Sequence, residues 1–496
     1  MNRGVVLAID QGTTGTTAML LDARGAIRGR GYAELPQHFP KPGWVEHDGR
    51  EIWATVQAAV KRALAHARTN SKQISAIGIT NQRETTLLWD RKTGTPAGPA
   101  IVWQDRRTAD RCVALRRRGL EPDFARRTGL RLDPYFSGTK LEWMLDHGLR
   151  VRARSGALAF GTVDSWLIWK LTSGRVHATD PTNASRTLLY DIHHLRWDPH
   201  LLRALRVPAA VLPEVRPSSG EFGVTRSVEG LPDGIPIAGV AGDQQSALFG
   251  QGCVAPGQCK NTYGTGCFLL LHTGNKARRS KAGLLTTVAC GARGEPAYAL
   301  EGSVFIAGAA IQWLRDGLRI LERAPESEAM ARRVGDSGGV VLVPAFVGLG
   351  APYWRPDARG ALLGLTRGTT RDHVARAALE SLAFQTRDVF EAMGHDSGRR
   401  VSVLRVDGGA AANDFLMQYQ SDLLGVPVVR PRVVETTALG AGLLAGLAVG
   451  FWTSPRDLDR ARVIEKVFQP RMRRAWRETE YRRWKTAVGM LLGSRA

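Results

Sequence analysis

The chain has 496 residues, 43% hydrophobic and 23% charged, with no long low-complexity tract. This suits a globular protein of two or three domains with ample cores. Its five cysteines are odd in number and contain no CxxC pair, which argues against a zinc site or a disulfide framework. The 68 Lys and Arg against 46 Asp and Glu give a net charge of +22, but the excess is mostly arginine scattered as in "RVRAR" and "PRMRRAWR". With no polybasic arm or nucleic-acid motif, it reads as a solvated surface, and no nucleic-acid partner is expected.

In chain order, "VVLAIDQGTTGTTAMLLD" (5–22) is an apolar run, a Gly/Thr turn and a second apolar run. That pattern predicts a β-hairpin whose turn offers backbone N–H groups and hydroxyls to an anion. "GREIWATVQAAVKRALAHAR" (49–68) has helical apolar spacing, and "ISAIGIT" (74–80) is a strand ending in "NQRETT". "TTLLWD" reads as a further strand, and "IPIAGVAG" (235–242) as another, running into "DQQSALFG". "FGQGCVAPG" (249–257), rich in Gly, marks a seam, which divides the chain into domains 1–250 and 251–496.

Beyond the seam, "CKNTYGTGCFLLLHTG" (259–274) repeats the strand, Gly/Thr turn, strand theme. "GVVLVPAF" (339–346) and "VSVLRVDGG" (401–409) read as strands, and "RDHVARAALESLAFQTRDVFEAMG" (371–394) as a long amphipathic helix. "TTALGAGLLAGLAVGFW" (436–452) spaces Gly442, Gly446 and Gly450 four apart. It is shorter than the roughly 20 residues of a membrane span and predicts a buried helix packed closely on a sheet. The tail is a basic amphipathic helix. With no signal-like N-terminus, a cytoplasmic protein without membrane insertion is expected. The repeated hairpin predicts an α/β protein of two related domains facing each other across a cleft.

Asp10 stands at the mouth of an anion cradle. A carboxylate there makes sense if a divalent cation lies between it and a phosphate, since Mg²⁺ is typically held by one or two carboxylates plus phosphates. Asp243 ends another strand, Thr265 lies between two glycines, and "VDGGAAAND" ends a strand in a glycine pair open to a flat ring. No Walker run, HRD or DFG triplet, or GxGxxG after the first strand occurs, so P-loop, protein-kinase and dinucleotide folds are set aside. "VGDSGGV" around Ser337 resembles a serine-protease nucleophile but lacks upstream partners and reads as a polar turn.

"AIDQGTT", "NQRETT", "WQDRRT", "AGDQQSALFGQ", "NTYGTGCFLL", "EGSVFIAGAAIQWLRDGL", "VGLGAPYW", "ARGALLGLTRGTT" and "DGGAAANDFLMQYQSDLLG" together resemble the FGGY family of carbohydrate kinases, relatives of actin and hexokinase. The resemblance implies two ribonuclease H-like domains around a central cleft, ATP and Mg²⁺ as cofactors, and a homo-oligomer (dimer or tetramer). "NQRETT" with "WQDRRT" points to glycerol as the small-molecule substrate, and so to ATP-dependent formation of sn-glycerol 3-phosphate. Carried over by position, Asp243 is the catalytic base. Arg83, Glu84, Tyr135, Asp243 and Gln244 bind glycerol, with Trp103 and Phe268 as an apolar wall. Thr13, Thr14, Gly15, Thr17 and Thr265 hold phosphates, and Gly308, Gln312, Gly409 and Asn413 hold ribose and adenine. Asp10 and Asp243 share the metal. A kinase of another polyol or a ketose is the same-family alternative; a non-catalytic nucleotide-binding protein is the alternative from another class. Two departures stand out: Thr17 replaces a usual Arg, and residues 226–236 carry one Arg and two acids where a fructose 1,6-bisphosphate site would need concentrated cations.

Overall fold

The computed structural model describes residues 4–493. Strands β1 (Val5–Gln11) and β2 (Gly15–Leu21) form the expected antiparallel hairpin, and β3 (Ile27–Glu34) pairs with β2. Parallel strands β4 (Ile74–Asn81) and β5 (Ile237–Gly242) extend the sheet from β1, giving the order β5-β4-β1-β2-β3. Within β1, alternate side chains serve two cores. Leu7 and Ile9 pack with Ile52 and Val56 of helix α1 (Gly49–Ala67), and Val6 and Ala8 pack with Leu443 and Leu444 on the other face. Burial on both faces is why this strand reads as a continuous apolar run. Asp48 caps α1 by accepting from the Arg50 N–H, 2.7 Å away.

The second sheet contains β6 (Cys259–Tyr263), β7 (Cys267–Gly274), β8 (Leu285–Cys290), β9 (Pro296–Val304), β10 (Leu404–Asp407), β11 (Val428–Pro431) and β12 (Ile464–Phe468). Its order is β8-β9-β7-β6-β10-β11-β12. Without the edge strands β8 and β12, this repeats the first sheet strand for strand, including the antiparallel hairpin and the two parallel neighbours. The two-domain ribonuclease H-like fold is therefore built on a duplicated motif. Of the expected strand 339–346, Val341–Val343 forms the strand, which Pro344 ends because it offers no N–H.

Four further helices matter below: α2 (Asp243–Gly250), α3 (Arg371–Ser397), α4 (Asp414–Leu424) and α5 (Thr436–Ala448). Helix α5 is the glycine-spaced segment, and it lies on a sheet as its composition suggests. The sheet is the first one, although α5 follows the second in sequence. A methyl group on Gly78 would run into the Ala441 carbonyl, so the close approach depends on the absence of a side chain there. Trp452 then anchors the chain to the turn between β2 and β3, its Nε1 donating to the Ala23 carbonyl at 3.0 Å. No helix among the described residues is long and apolar enough to cross a membrane. The C-terminal helix α6 (Arg474–Leu491) buries Trp484 flat against Phe384 of α3, with ring centroids 5.4 Å apart. All five cysteines are free and buried.

Candidate active site

Three parallel neighbours, β1, β4 and β5, end at one edge of the first sheet. Their register sets Asp10 beside Thr80, and Asn81 beside both Gln11 and Gly242. Asp10, the Arg83–Glu84 pair and Asp243 therefore emerge together at the carboxyl ends of the strands, where open α/β sheets place their ligand crevice. Gly242 makes room for this, since a Cβ there would lie 2.7 Å from Arg83 Cδ.

Arg83 is hydrogen-bonded through both terminal nitrogens, while its Nε makes ion pairs without a hydrogen bond among the described residues. Its Nη1 and Nη2 donate to the two Glu301 carboxylate oxygens at 2.6 and 3.0 Å, and Nη2 also reaches Tyr135 Oη at 3.4 Å. Its Nε lies 3.1 Å from Asp243 Oδ1 and 3.6 Å from Glu84 Oε1. Arg186 completes the cluster, donating from Nε to Glu84 at 2.6 Å and from Nη2 to Glu301 at 2.9 Å, with its guanidinium over the Phe136 ring. Two buried cations thus alternate with two buried anions. Burial pushes the Glu301 carboxyl up, but Arg186 and Arg83 outweigh it and hold its pKa at about 2. Glu84 is held above its ordinary value, because burial outweighs the two arginines.

The backbone at Glu84 is also held. Its φ of 61° is uncommon for a residue with a side chain. Its carbonyl accepts from Ser137 Oγ and Lys140 Nζ, both at 3.1 Å, and Lys140 also donates to the Tyr135 carbonyl at 2.7 Å. One buried ammonium so ties together the two segments that carry Glu84 and Tyr135. Burial lowers its pKa to about 7 against the pull of Glu84. Trp103 stands edge-on to Tyr135 and Phe268, with centroids 5.6 and 6.3 Å away, and its Nε1 donates to Thr13 Oγ1 at 2.8 Å. The three rings form a wall beside the charge cluster. Asp243 is 29% exposed, so it keeps access to the cleft. Its Oδ1 accepts from the Gln244 N–H at 2.8 Å, while Gln244 Oε1 accepts from Lys260 Nζ at 2.5 Å.

The residues expected on the nucleotide side fall on both hairpin turns and on the strand ends of the second sheet. Thr13 and Thr14 lie in the first turn, Gly15 opens β2, and Thr17 stands directly across from Asp10 in the β1–β2 ladder. In the second turn the Thr265 carbonyl accepts from Ala307 N–H and Ala309 N–H, at 2.8 and 3.1 Å, and so seats the helix that starts at Gly308 and ends at the exposed Gln312. Gly409 follows β10 and is exposed, and a Cβ there would meet nothing within 4 Å. Asn413 caps α4 through Oδ1, which accepts from Leu416 N–H at 2.9 Å.

Asp10 shows what the site wants. Burial first, then the charges of Asp243 and Glu435, push its pKa up to about 7. Carboxylates that repel one another this way are suited to a divalent cation between them and a phosphate, so the donor set fits Mg²⁺. The 226–236 loop folds back on itself, with Asp233 accepting from the Ser227 N–H at 2.7 Å and Val228 and Leu231 buried, which leaves Arg226 as its lone cation.

A model of the N-terminal domain of the FGGY family of carbohydrate kinases matches residues 5–250, and a model of the family's C-terminal domain matches residues 259–449. The chain belongs to the FGGY family. Among FGGY relatives, a glycerol kinase from Xanthomonas campestris pv. campestris is 56% identical over 497 residues, covering all of both chains. A glycerol kinase from Shewanella sp. (strain MR-4) is 58% identical over 490 residues, 98% of this chain and 99% of its own. The crystal structure of Plasmodium falciparum glycerol kinase with ADP superposes with a TM-score of 0.91 at 37% identity, over 98% of each chain. A xylulose kinase from Rhodospirillum rubrum superposes at 0.83 with 23% identity, a likeness of fold.

Within this FGGY kinase, sequence reasoning missed Arg186, Glu301 and Lys140. Glu301 carried a signal, as an acid inside the apolar strand "YALEGSV" whose burial demands a cationic partner. Arg186 and Lys140 carried none, because nothing local to "NASRT" or "GTKLEW" marks their charges as enclosed.

Proposed function

We propose that this chain transfers the terminal phosphoryl group of ATP to a primary hydroxyl of glycerol, giving sn-glycerol 3-phosphate and ADP. The observation that carries this reading is the end-to-end identity with glycerol kinases, at 56–58%. The geometry supports it. A short triol needs a few fixed donors and acceptors and an apolar cover, and the cleft offers Arg83, Glu84, Tyr135 and Gln244 beside the rings of Trp103 and Phe268. Asp243 takes the proton of the attacking hydroxyl as its oxygen bonds to the γ-phosphorus and the β,γ-bridging oxygen leaves with ADP; such assistance contributes about 10²–10⁴ in rate. The turn residues Thr13, Thr14, Gly15 and Thr265 orient the phosphates. Gly308, Gln312, Gly409 and Asn413 line the approach of ribose and adenine, where the open face of Gly409 admits a flat ring. Asp10 and Asp243 would hold Mg²⁺, which supplies charge neutralisation on the phosphates.

The test is ADP release with glycerol, other polyols, pentuloses and hexuloses as acceptors. Glycerol is expected to give the highest kcat/KM. A larger ketose leaves a mismatch against the fixed cluster, at about 1–3 kcal/mol for each buried group left unpaired. A ketose that exceeds glycerol would overturn the substrate assignment and leave the family.

A further inference from the structure

Away from the cleft, a cavity of about 490 Å³ lies where the chain crosses from one sheet to the other. The end of α2 supplies Gly250 and Gln251, β6 starts there at Cys259, and α5 closes one side with Thr436 and Leu439. Its walls therefore belong to elements packed on both sheets.

Two arginines line it. Arg405 donates through Nη1 to the Gln251 carbonyl, and Arg462 donates through Nη2 to the Phe249 carbonyl at 2.8 Å. The Arg462 side chain is only 10% exposed, and its Nε has no hydrogen-bond partner among the described residues. A buried donor left in this state is costly. Among the described residues the wall has one acid, Asp459, which lies 3.1 Å from Arg462 Nη1 but is 71% exposed, so water weakens its compensation. Gly252, with φ of +71°, lets the cations converge. A Cβ there would lie 2.9 Å from Arg405 Nη1 and 3.1 Å from Arg462 Cδ. Burial depresses the Arg462 guanidinium and the charge of Arg405 adds to this, against Asp459. A group with several acceptor oxygens and two negative charges would satisfy the orphan donor and relieve the repulsion together.

We propose that this cavity is a second ligand site, specific for a phosphorylated small molecule, with its phosphoryl group on Arg405 and Arg462. The volume lies in the range of small-molecule sites, and Pro431, Leu439 and Ile464 offer apolar surface to the rest of the ligand. Helix α2 begins at Asp243 and ends on the cavity wall, so occupancy ties the helix carrying Asp243 to the second sheet.

Inorganic phosphate is the probe. The full-length protein is saturated with glycerol, Mg²⁺ and ADP to occupy the cleft, and phosphate is titrated at constant ionic strength by calorimetry and thermal unfolding. The wild type is expected to bind one equivalent and to rise in Tm. Arg462→Gln should weaken binding at least tenfold. Ser402→Glu leaves both guanidiniums and their carbonyl bonds in place and puts a carboxylate into the cavity from an exposed wall position. It should abolish phosphate binding without lowering the unliganded Tm or the basal rate. No phosphate response in the wild type, or wild-type binding by Ser402→Glu, overturns the proposal. Failure of the kinase reading would appear separately, as absence of glycerol-dependent ADP release.

Discussion

Asp10→Asn tests the electrostatics of the proposed metal corner. The folded pKa of Asp10, about 7, lies above the ordinary aspartate value of 3.8. Folding therefore takes up a proton between these values. The stability this carries is complete below about pH 4 and is lost as pH rises through 7. A gap of about three pH units corresponds to about 4 kcal/mol. Asp10 is only partly enclosed, so solvent screening reduces the expected effect to about 2 kcal/mol. The asparagine keeps the shape and removes the titration. In urea denaturation without nucleotide and with divalent cations chelated, the variant should gain about 2 kcal/mol over the wild type between pH 4 and pH 8, while phosphoryl transfer falls. Adding Mg²⁺ and ADP at pH 8 should stabilise the wild type more than the variant. A stability difference that stays flat from pH 5 to pH 8 would refute the reasoning, because it would mean that neither burial nor Asp243 and Glu435 act on Asp10 as described.

Asp243→Asn retains an acceptor for the Gln244 N–H and removes the proposed base, so single-turnover transfer should slow by about 10²–10⁴ with the Tm little changed; transfer near the wild-type rate would exclude Asp243 as base. Glu301→Gln leaves Arg83 and Arg186 short of a buried counter-charge and should cost about 3–5 kcal/mol in denaturant unfolding, together with a raised KM for glycerol; a loss under 1 kcal/mol would show that the cluster is not enclosed as described. Thr17→Arg places a cation across from Asp10 and beside the proposed phosphate site. Replacing a neutral bond by a charged one is worth about 1 kcal/mol, so KM for ATP should fall about fivefold, and an unchanged or higher KM counts against a phosphate contact at this position.

Much of this molecule is legible residue by residue. The β1–β2 and β6–β7 hairpins follow from apolar runs around Gly/Thr turns, and α1 follows from its spacing, because these are short-range choices. The strand-end positions of Asp10, Asp243 and Gly409 are legible for the same reason, since each directly follows or closes a run that can only be a buried strand. The Arg83–Glu84 stretch is recognisable as a candidate binding segment, but not what holds it. Arg83 meets Glu301 across 218 residues of chain, and Glu84 meets Arg186 across 102. Which charges are buried together depends on how the second sheet docks against the segments that follow the first. Likewise, the glycine spacing of α5 announces a close contact without naming its partner, because small residues permit approach to any surface; only the packed fold places it on the first sheet. The Arg405–Arg462 cavity is the extreme case. Neither arginine differs in the sequence from the dozens scattered over the surface, and their function as a pair exists only because β10 and the turn before β12 close on the end of α2, where desolvation makes an unpartnered guanidinium N–H consequential.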